Sequence, residues 1–205
     1  MTKRLTMQAQ RSEEKKKAIY ETAISMFEEH GYEQTTVRDI CKNAGITTSS
    51  FYNFFGDKKG ILLQFYYETL REGAAFLEPT EENLAAPYQS ICWCFTSMAS
   101  FCDRNSRDVI LQALISLPAL TSGQYPSLPR NDVIRQVTNF LEEGKKRGTV
   151  PQERDCATDA EYLLMGANGI TMYWLLFAES ERYISVARRL MPTLFTSVTN
   201  EAIRV

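Results

Sequence analysis

Histidine is almost missing from this chain of 205 residues, where His30 stands alone. A Ser-His-Asp triad or a multi-histidine metal site would have to be built on that one residue. Long apolar runs are missing too. The greasiest stretch, Ile170 to Ala178, falls well short of the roughly 20 residues a bilayer-spanning helix needs. The first 17 residues hold none of the apolar core of an export signal. The expectation is a cytoplasmic chain with no membrane partner. Neither sign of charge dominates: 23 Lys and Arg stand against 25 Asp and Glu. That balance excludes a disordered polyelectrolyte and a uniformly basic nucleic-acid coat. Five cysteines, odd in number and irregularly spaced, read as reduced thiols rather than a disulfide framework. No cofactor, no metal set and no enzyme is expected.

What charge there is lies unevenly. Residues 1–60 carry 10 basic and 8 acidic side chains, and residues 61–205 carry 13 and 17. A mildly basic head on an acidic body points to two parts with different partners. Every long segment has helical period, so the chain reads as all-α. Ile19, Ala23 and Phe27 mark a first helix over about 12–30, closed by Gly31, with Tyr32 folding back onto it. Thr36 caps a second helix, with Asp39 placed for a capping box, and Val37, Ile40, Cys41 and Ala44 form its inward face. Thr47 caps a third after the turn at Gly45. There Phe51 and Phe55 face a core, while Thr48, Ser49, Tyr52 and Asn53 face out. These four are poor helix formers, so propensity did not select them. Asp57 caps a fourth helix to about Leu77. Further helices are expected over 87–102, 106–117, 131–147, 155–178 and 181–203, with a kink or early end at Pro192 and one long loop over 118–130.

Two short helices about a tight turn make a helix-turn-helix, whose second helix can enter the DNA major groove. The fuller string is Thr35-Thr36-Val37-Arg38-Asp39-Ile40, Ala44-Gly45-Ile46-Thr47, Phe51-Tyr52-Asn53-Phe54-Phe55 and Asp57-Lys58. It resembles the DNA-binding head of the TetR family of bacterial transcriptional regulators. The resemblance covers about residues 12–63. It implies a three-helix DNA-binding head over 1–57 and a larger helical domain for ligand binding and dimerisation over 58–205. On it, Thr36 and the start of its helix face a phosphate, as do Tyr52 and Lys58. Thr47, Thr48, Ser49 and Asn53 lie where recognition-helix contacts are made, and Arg38 reaches backbone or a base edge. Three positions depart from the family's habit: Cys41 stands where Ala is usual, Ser49 where Gly is common and Lys59 where Glu is common. Thr36 and Thr47 would cap helices in any protein, Tyr52 is otherwise a surface aromatic, and the run Lys15-Lys16-Lys17 is either a DNA-facing stripe or a solvated face.

In the body, Trp93, Phe95, Met98, Tyr125, Met165 and Met172 are candidates to line an adaptable apolar pocket, with Asn168 orienting the occupant. Each taken singly reads at least as well as ordinary core. Gly166, Ala167 and Gly169 suit close helix approach, within a subunit or across a dimer. The function implied is a homodimeric repressor on a palindromic double-stranded DNA operator, released by a small hydrophobic effector. The alternatives are thiol-redox or soft-metal sensing through Cys92, Cys94 and Cys102, and a cysteine-nucleophile enzyme. The three cysteines do not share one helix face. The enzyme lacks a base, because His30 is far in sequence from four of the five thiols.

Overall fold

The helical period carries over to ten α-helices and no strand among the described residues, which in this computed structural model are 2–120, 130–178 and 180–199. They are α1 Thr2–His30, α2 Val37–Asn43, α3 Thr48–Phe55, α4 Lys59–Gly73, α5 Glu81–Ala85, α6 Pro87–Cys102, α7 Arg107–Leu120, α8 Arg130–Arg147, α9 Cys156–Phe177 and α10 Tyr183–Thr199. A 3₁₀ turn, Ala74–Leu77, follows α4. Several boundaries differ from the sequence reading, among them the end of α7, at Leu120 rather than 117. The first helix begins ten residues earlier, because a polar, charge-rich stretch with no breaker can extend a helix that is already nucleated. The fourth tightens into the 3₁₀ turn after Gly73. The short α5, capped by the Thr80 hydroxyl, carries too few turns to show a period. Pro192 lies inside α10, which continues past it.

The contacts divide the chain into two compact units, 1–67 with 105–125 and 68–104 with 126–205. In the first unit, α2 packs on α1 and on α3, and α7 packs on α1. Ile19, Ala23, Phe27, Ile40, Phe51, Phe55, Ile61, Leu62 and Val109 form its buried core. The Asp108 carboxylate at the start of α7 accepts from the Tyr32 backbone N–H at 3.1 Å, and Glu28 accepts from the Ser106 N–H at 3.3 Å.

In the second unit α6 is buried around most of its circumference and packs against α10, α8, α5 and the 3₁₀ turn, while α9 packs on α8 and α10. A buried polar cluster ties α6 to α9. The Tyr88 hydroxyl donates to Asp159 at 2.5 Å, and Arg154 closes on the same carboxylate with two N–H groups. Breaking one member of such a set leaves a buried charge uncompensated. Trp174 stacks on Tyr183 with ring centroids 5.0 Å apart and donates its indole N–H to the Glu181 carbonyl.

Candidate nucleic-acid interface

Local chemistry builds the helix-turn-helix. The Thr36 oxygen accepts from the Asp39 N–H at 3.2 Å, and Asp39 in turn accepts from the Thr36 N–H at 3.2 Å, closing the capping box. The Thr36 hydroxyl also donates to Asp39. These bonds hold the Asp39 carboxyl below its ordinary range, with the nearby Lys42 and Arg38 charges adding a smaller pull. Gly45 turns the chain at φ 63°, in the left-handed region that costs other residues roughly 1–2 kcal/mol. The Ile46 N–H then bonds back to the Cys41 carbonyl at 3.0 Å. Thr47 caps α3 by accepting from the Ser50 N–H at 3.2 Å.

The two faces of α3 separate as its sequence implies. Phe51 and Phe55 are buried, and Thr48, Ser49, Tyr52 and Asn53 are exposed, Tyr52 at 52%. Thr47 and Arg38 are exposed beside them. Six of the eight candidate DNA-binding side chains thus lie open around one short helix and its approach. The other two are more engaged. The Thr36 hydroxyl is spent in the capping box, with a carboxylate beside it. Lys58 is half-buried, donates to the Tyr32 carbonyl at 2.7 Å and the Thr35 carbonyl at 3.1 Å, and sits 4.0 Å from the centre of the Tyr32 ring. Burial and the Asp57 and Glu33 charges push the Tyr32 hydroxyl up to about 12, so the ring is neutral.

One residue that sets this geometry escapes sequence reading. A Cβ placed on Gly60 would stand 1.9 Å from the carbonyl oxygen of Phe55, the last residue of α3. Only glycine lets α4 start that close to the recognition helix, and a lone Gly inside a helical pattern carries no sign of it. Asp57 caps the same helix by accepting from the Gly60 N–H at 3.0 Å.

The body candidates do not converge. Phe95 is buried and packs on Phe195, with centroids 6.1 Å apart. Met98 is half-buried, its sulfur 3.9 Å from that of Cys94. Trp93 faces outward from α6 against Phe76. Met165, Asn168 and Met172 line the exposed side of α9, Met165 at 68%, rather than any interior. The reason is register: the buried stripe of α9 runs through Leu163, Ala167, Ile170 and Trp174, which puts those three opposite. Tyr125 lies outside the described residues. An open groove of about 560 Å³ does exist in this unit, but elsewhere, lined by Leu77, Phe140, Asn139, Glu78, Glu143 and Lys146 among others. Burial pushes Cys94 and Cys102 up to about 12 and Cys92 and Cys156 up to about 11, so none is a ready thiolate at neutral pH. Among the described residues no three His, Cys, Asp or Glu side chains gather as a metal set, and no helix is long and apolar enough to cross a membrane.

With the buried and exposed faces of the two short helices settled, known proteins can be set beside them. Residues 19–65 match the family model for the bacterial regulatory proteins of the tetR family. By this head, the chain is similar to the TetR family. It is 40% identical over 58 residues to the uncharacterised HTH-type transcriptional regulator YuxN of Bacillus subtilis, a match covering 27% of this chain and 20% of that one. It is 29% identical over 112 residues to the HTH-type transcriptional regulator HbdR of an Aromatoleum species, covering 55% and 48%. The chain therefore spans less than half the length of these two relatives. The fold reaches further than the sequence. The TetR-family repressor FadR of Thermus thermophilus, solved in complex with lauroyl-CoA, superposes with a TM-score of 0.56 over 87% of this chain and 92% of its own, at 17% identity. An N-terminal helix-turn-helix head followed by a helical domain is the architecture they share.

Proposed function

We propose that this chain is a homodimeric repressor that binds a near-palindromic DNA operator and leaves it when a small hydrophobic effector occupies the body. The observation that carries the DNA half is the exposed row Thr48, Ser49, Tyr52 and Asn53 on a short helix anchored by Phe51 and Phe55. In this reading Ser49 and Asn53 reach base edges, with Thr47, Thr48 and Arg38 around them. Tyr52 donates to a phosphate, and Thr36 serves by shaping the entry to α2. Phosphate contacts position and base contacts specify. The dimer half rests on α9, which exposes Tyr162, Met165, Met172, Leu176 and Phe177, the last at 73%. An apolar face of that size on a regulator with a symmetric site is suited to a second copy.

The effector half rests on the acyl-CoA complex of the FadR structure and on the body's own groove, whose volume suits a drug-sized ligand. Leu77 and Phe140 are the apolar side chains that would meet such a ligand in the groove; Phe95 and Met98 lie outside its lining, and Met165, Asn168 and Met172 belong in this reading to the subunit interface. An effector can act only by binding one conformer better than the other.

The test is selection of duplexes from a random library by the wild-type protein, followed by footprinting and effector challenge. The selected site should contain two inverted halves with centres about one helical turn apart, or a multiple. Asn53→Ala should relax preference at one base pair of each half, by roughly 1–3 kcal/mol, while Tyr52→Phe weakens all sequences alike. Sequence-independent protection would count against the DNA half. For the effector, a panel holding lauroyl-CoA and uncharged hydrophobic compounds is scored by Trp93 fluorescence and by release of the selected duplex. A panel in which no member does either removes the effector half.

A further inference from the structure

The buried thiols of α6 take no part in the DNA-facing helices or in the groove, yet one of them has a soft neighbour. Cys94 and Met98 stand four residues apart on α6 and so share a face of that helix. The Cys94 thiol donates to the Met98 sulfur at 3.9 Å. On its other side the thiol meets Gly73 at the end of α4, where a Cβ would stand 2.5 Å from the Cys94 sulfur. Cys94 is 3% exposed, whereas Met98 is half-buried, so the thioether is the member of the pair that solvent reaches. Metal–sulfur bonds of about 2.3 Å at a trigonal angle hold two sulfurs about 4 Å apart, which is close to the separation already present.

We propose that Cys94 and Met98 form a binding site for a soft univalent cation of the Cu(I) class, which takes the place of the thiol proton between the two sulfurs. Binding is an exchange. The S–H bond breaks, the proton leaves to solvent, and bonds form from the thiolate and the thioether to the ion, which enters already reduced. One positive charge replaces another, so the buried pair stays neutral. A divalent ion on the same thiolate would leave a net positive charge away from water, which is costly. Thiolate and thioether sulfurs are also the ligands that select Cu(I) over harder ions. Cys92 lies on another side of the helix. Cys102 continues the line one turn on, with the Thr69 hydroxyl bonded to its sulfur. The site stands apart from the DNA-binding reading and from the groove.

The experiment adds Cu(I), kept reduced by ascorbate under nitrogen, to the full chain and then challenges it with a Cu(I) chelator. The wild type should retain one equivalent and release one proton per ion bound. X-ray absorption should find sulfur neighbours at about 2.3 Å. Cys94→Ser should retain none. Met98→Leu conserves volume and should bind at least about tenfold more weakly, since losing even an outer partner of a ligand costs that much. Cys92→Ala, Cys102→Ala and the exposed pair Met165→Leu with Met172→Leu should retain the ion as the wild type does. Zn(II) should not survive its own chelator in any of them. A wild type that retains no Cu(I) overturns the proposal. So does an ion with oxygen or nitrogen neighbours only, or a Cys94→Ser or Met98→Leu protein that binds like the wild type. Loss of the ion in one of the three control variants would place the site elsewhere and overturn it as well. If circular dichroism shows Cys94→Ser losing its fold, Met98→Leu and the absorption spectrum of the wild type decide.

Discussion

The faces that α3 and α9 turn to solvent are opposite in kind. On α3 the exposed side chains are small and polar or end in a hydroxyl: Thr48, Ser49, Tyr52 and Asn53. On α9 they are large and mostly apolar: Tyr162, Met165, Met172, Tyr173, Leu176 and Phe177. Each helix is otherwise anchored the same way, by an apolar stripe at helical spacing on its buried side. The difference shows that what a helix leaves outside is as informative as what it buries. Short hydrogen-bonding groups suit a groove whose walls are base edges and phosphates. A wide apolar face suits another protein surface, because water gains nothing from it. Leu194 illustrates the limit of reading this from sequence. The sequence does not tell which face of the last helix it lies on, and in the fold it packs on Gly166, where a Cβ would lie 2.4 Å from its side chain.

The largest effect should come from breaking the α9 side of the comparison. Met165→Glu with Leu176→Glu places two charges on an apolar face without touching the buried stripe. Sedimentation should show a folded monomer, and affinity for the two-half site should fall by about 10²–10⁴-fold as the second half is lost. An intact dimer would place the interface on another face.

Breaking the α3 side needs no change on its exposed face. Gly60→Ala drives a methyl group into the Phe55 carbonyl, which lies on backbone and cannot swing away. The cost should be about 1–3 kcal/mol or more of head stability, seen as a lower melting temperature and weaker duplex binding, with the dimer retained. A variant with wild-type melting and binding would mean that α3 shifts freely, contrary to the packing described.

The smallest effect sharpens the comparison by pH. Asp39 in the head, and Glu143, Asp155 and Glu181 in the body, are held below their ordinary values by hydrogen bonds from Thr36, Lys146, Thr158 and Arg189, respectively. A carboxyl lowered in the folded state binds fewer protons there than in the unfolded chain. Its contribution is therefore complete above the ordinary values of 3.8 and 4.5 and is lost as pH falls through the folded value. Calorimetry should find a melting temperature that is steady from these groups' standpoint above about pH 5 and falls below about pH 4. Asp39→Asn should flatten only the head's share of that fall. An acid limb identical in Asp39→Asn and the wild type would show that the capping box carries none of it.

Much of the candidate site is legible in the sequence. The caps at Thr36 and Thr47, the turn at Gly45, the buried Phe51 and Phe55 and the exposed row on α3 all follow from local rules: side-chain oxygens satisfy orphan amides, glycine accepts positive φ, and apolar residues recur at three and four. The helical period likewise determined that the chain is all-α. What the sequence could not decide is whatever depends on residues far apart in the chain meeting in space. The side of α9 that faces out is one case. Its low amphipathicity left Met165, Asn168 and Met172 as readable for a pocket as for a surface, and only the packing of α8 and α10 against its other side settled which. The Gly60 approach to Phe55, the attachment of α7 to α1 through Asp108, and the grip of Lys58 on the Tyr32 and Thr35 carbonyls are others. Local rules concern neighbours within a turn of helix, whereas these contacts arise when elements are brought together to bury their apolar faces, and that assembly alone fixes which distant backbone groups a side chain will meet.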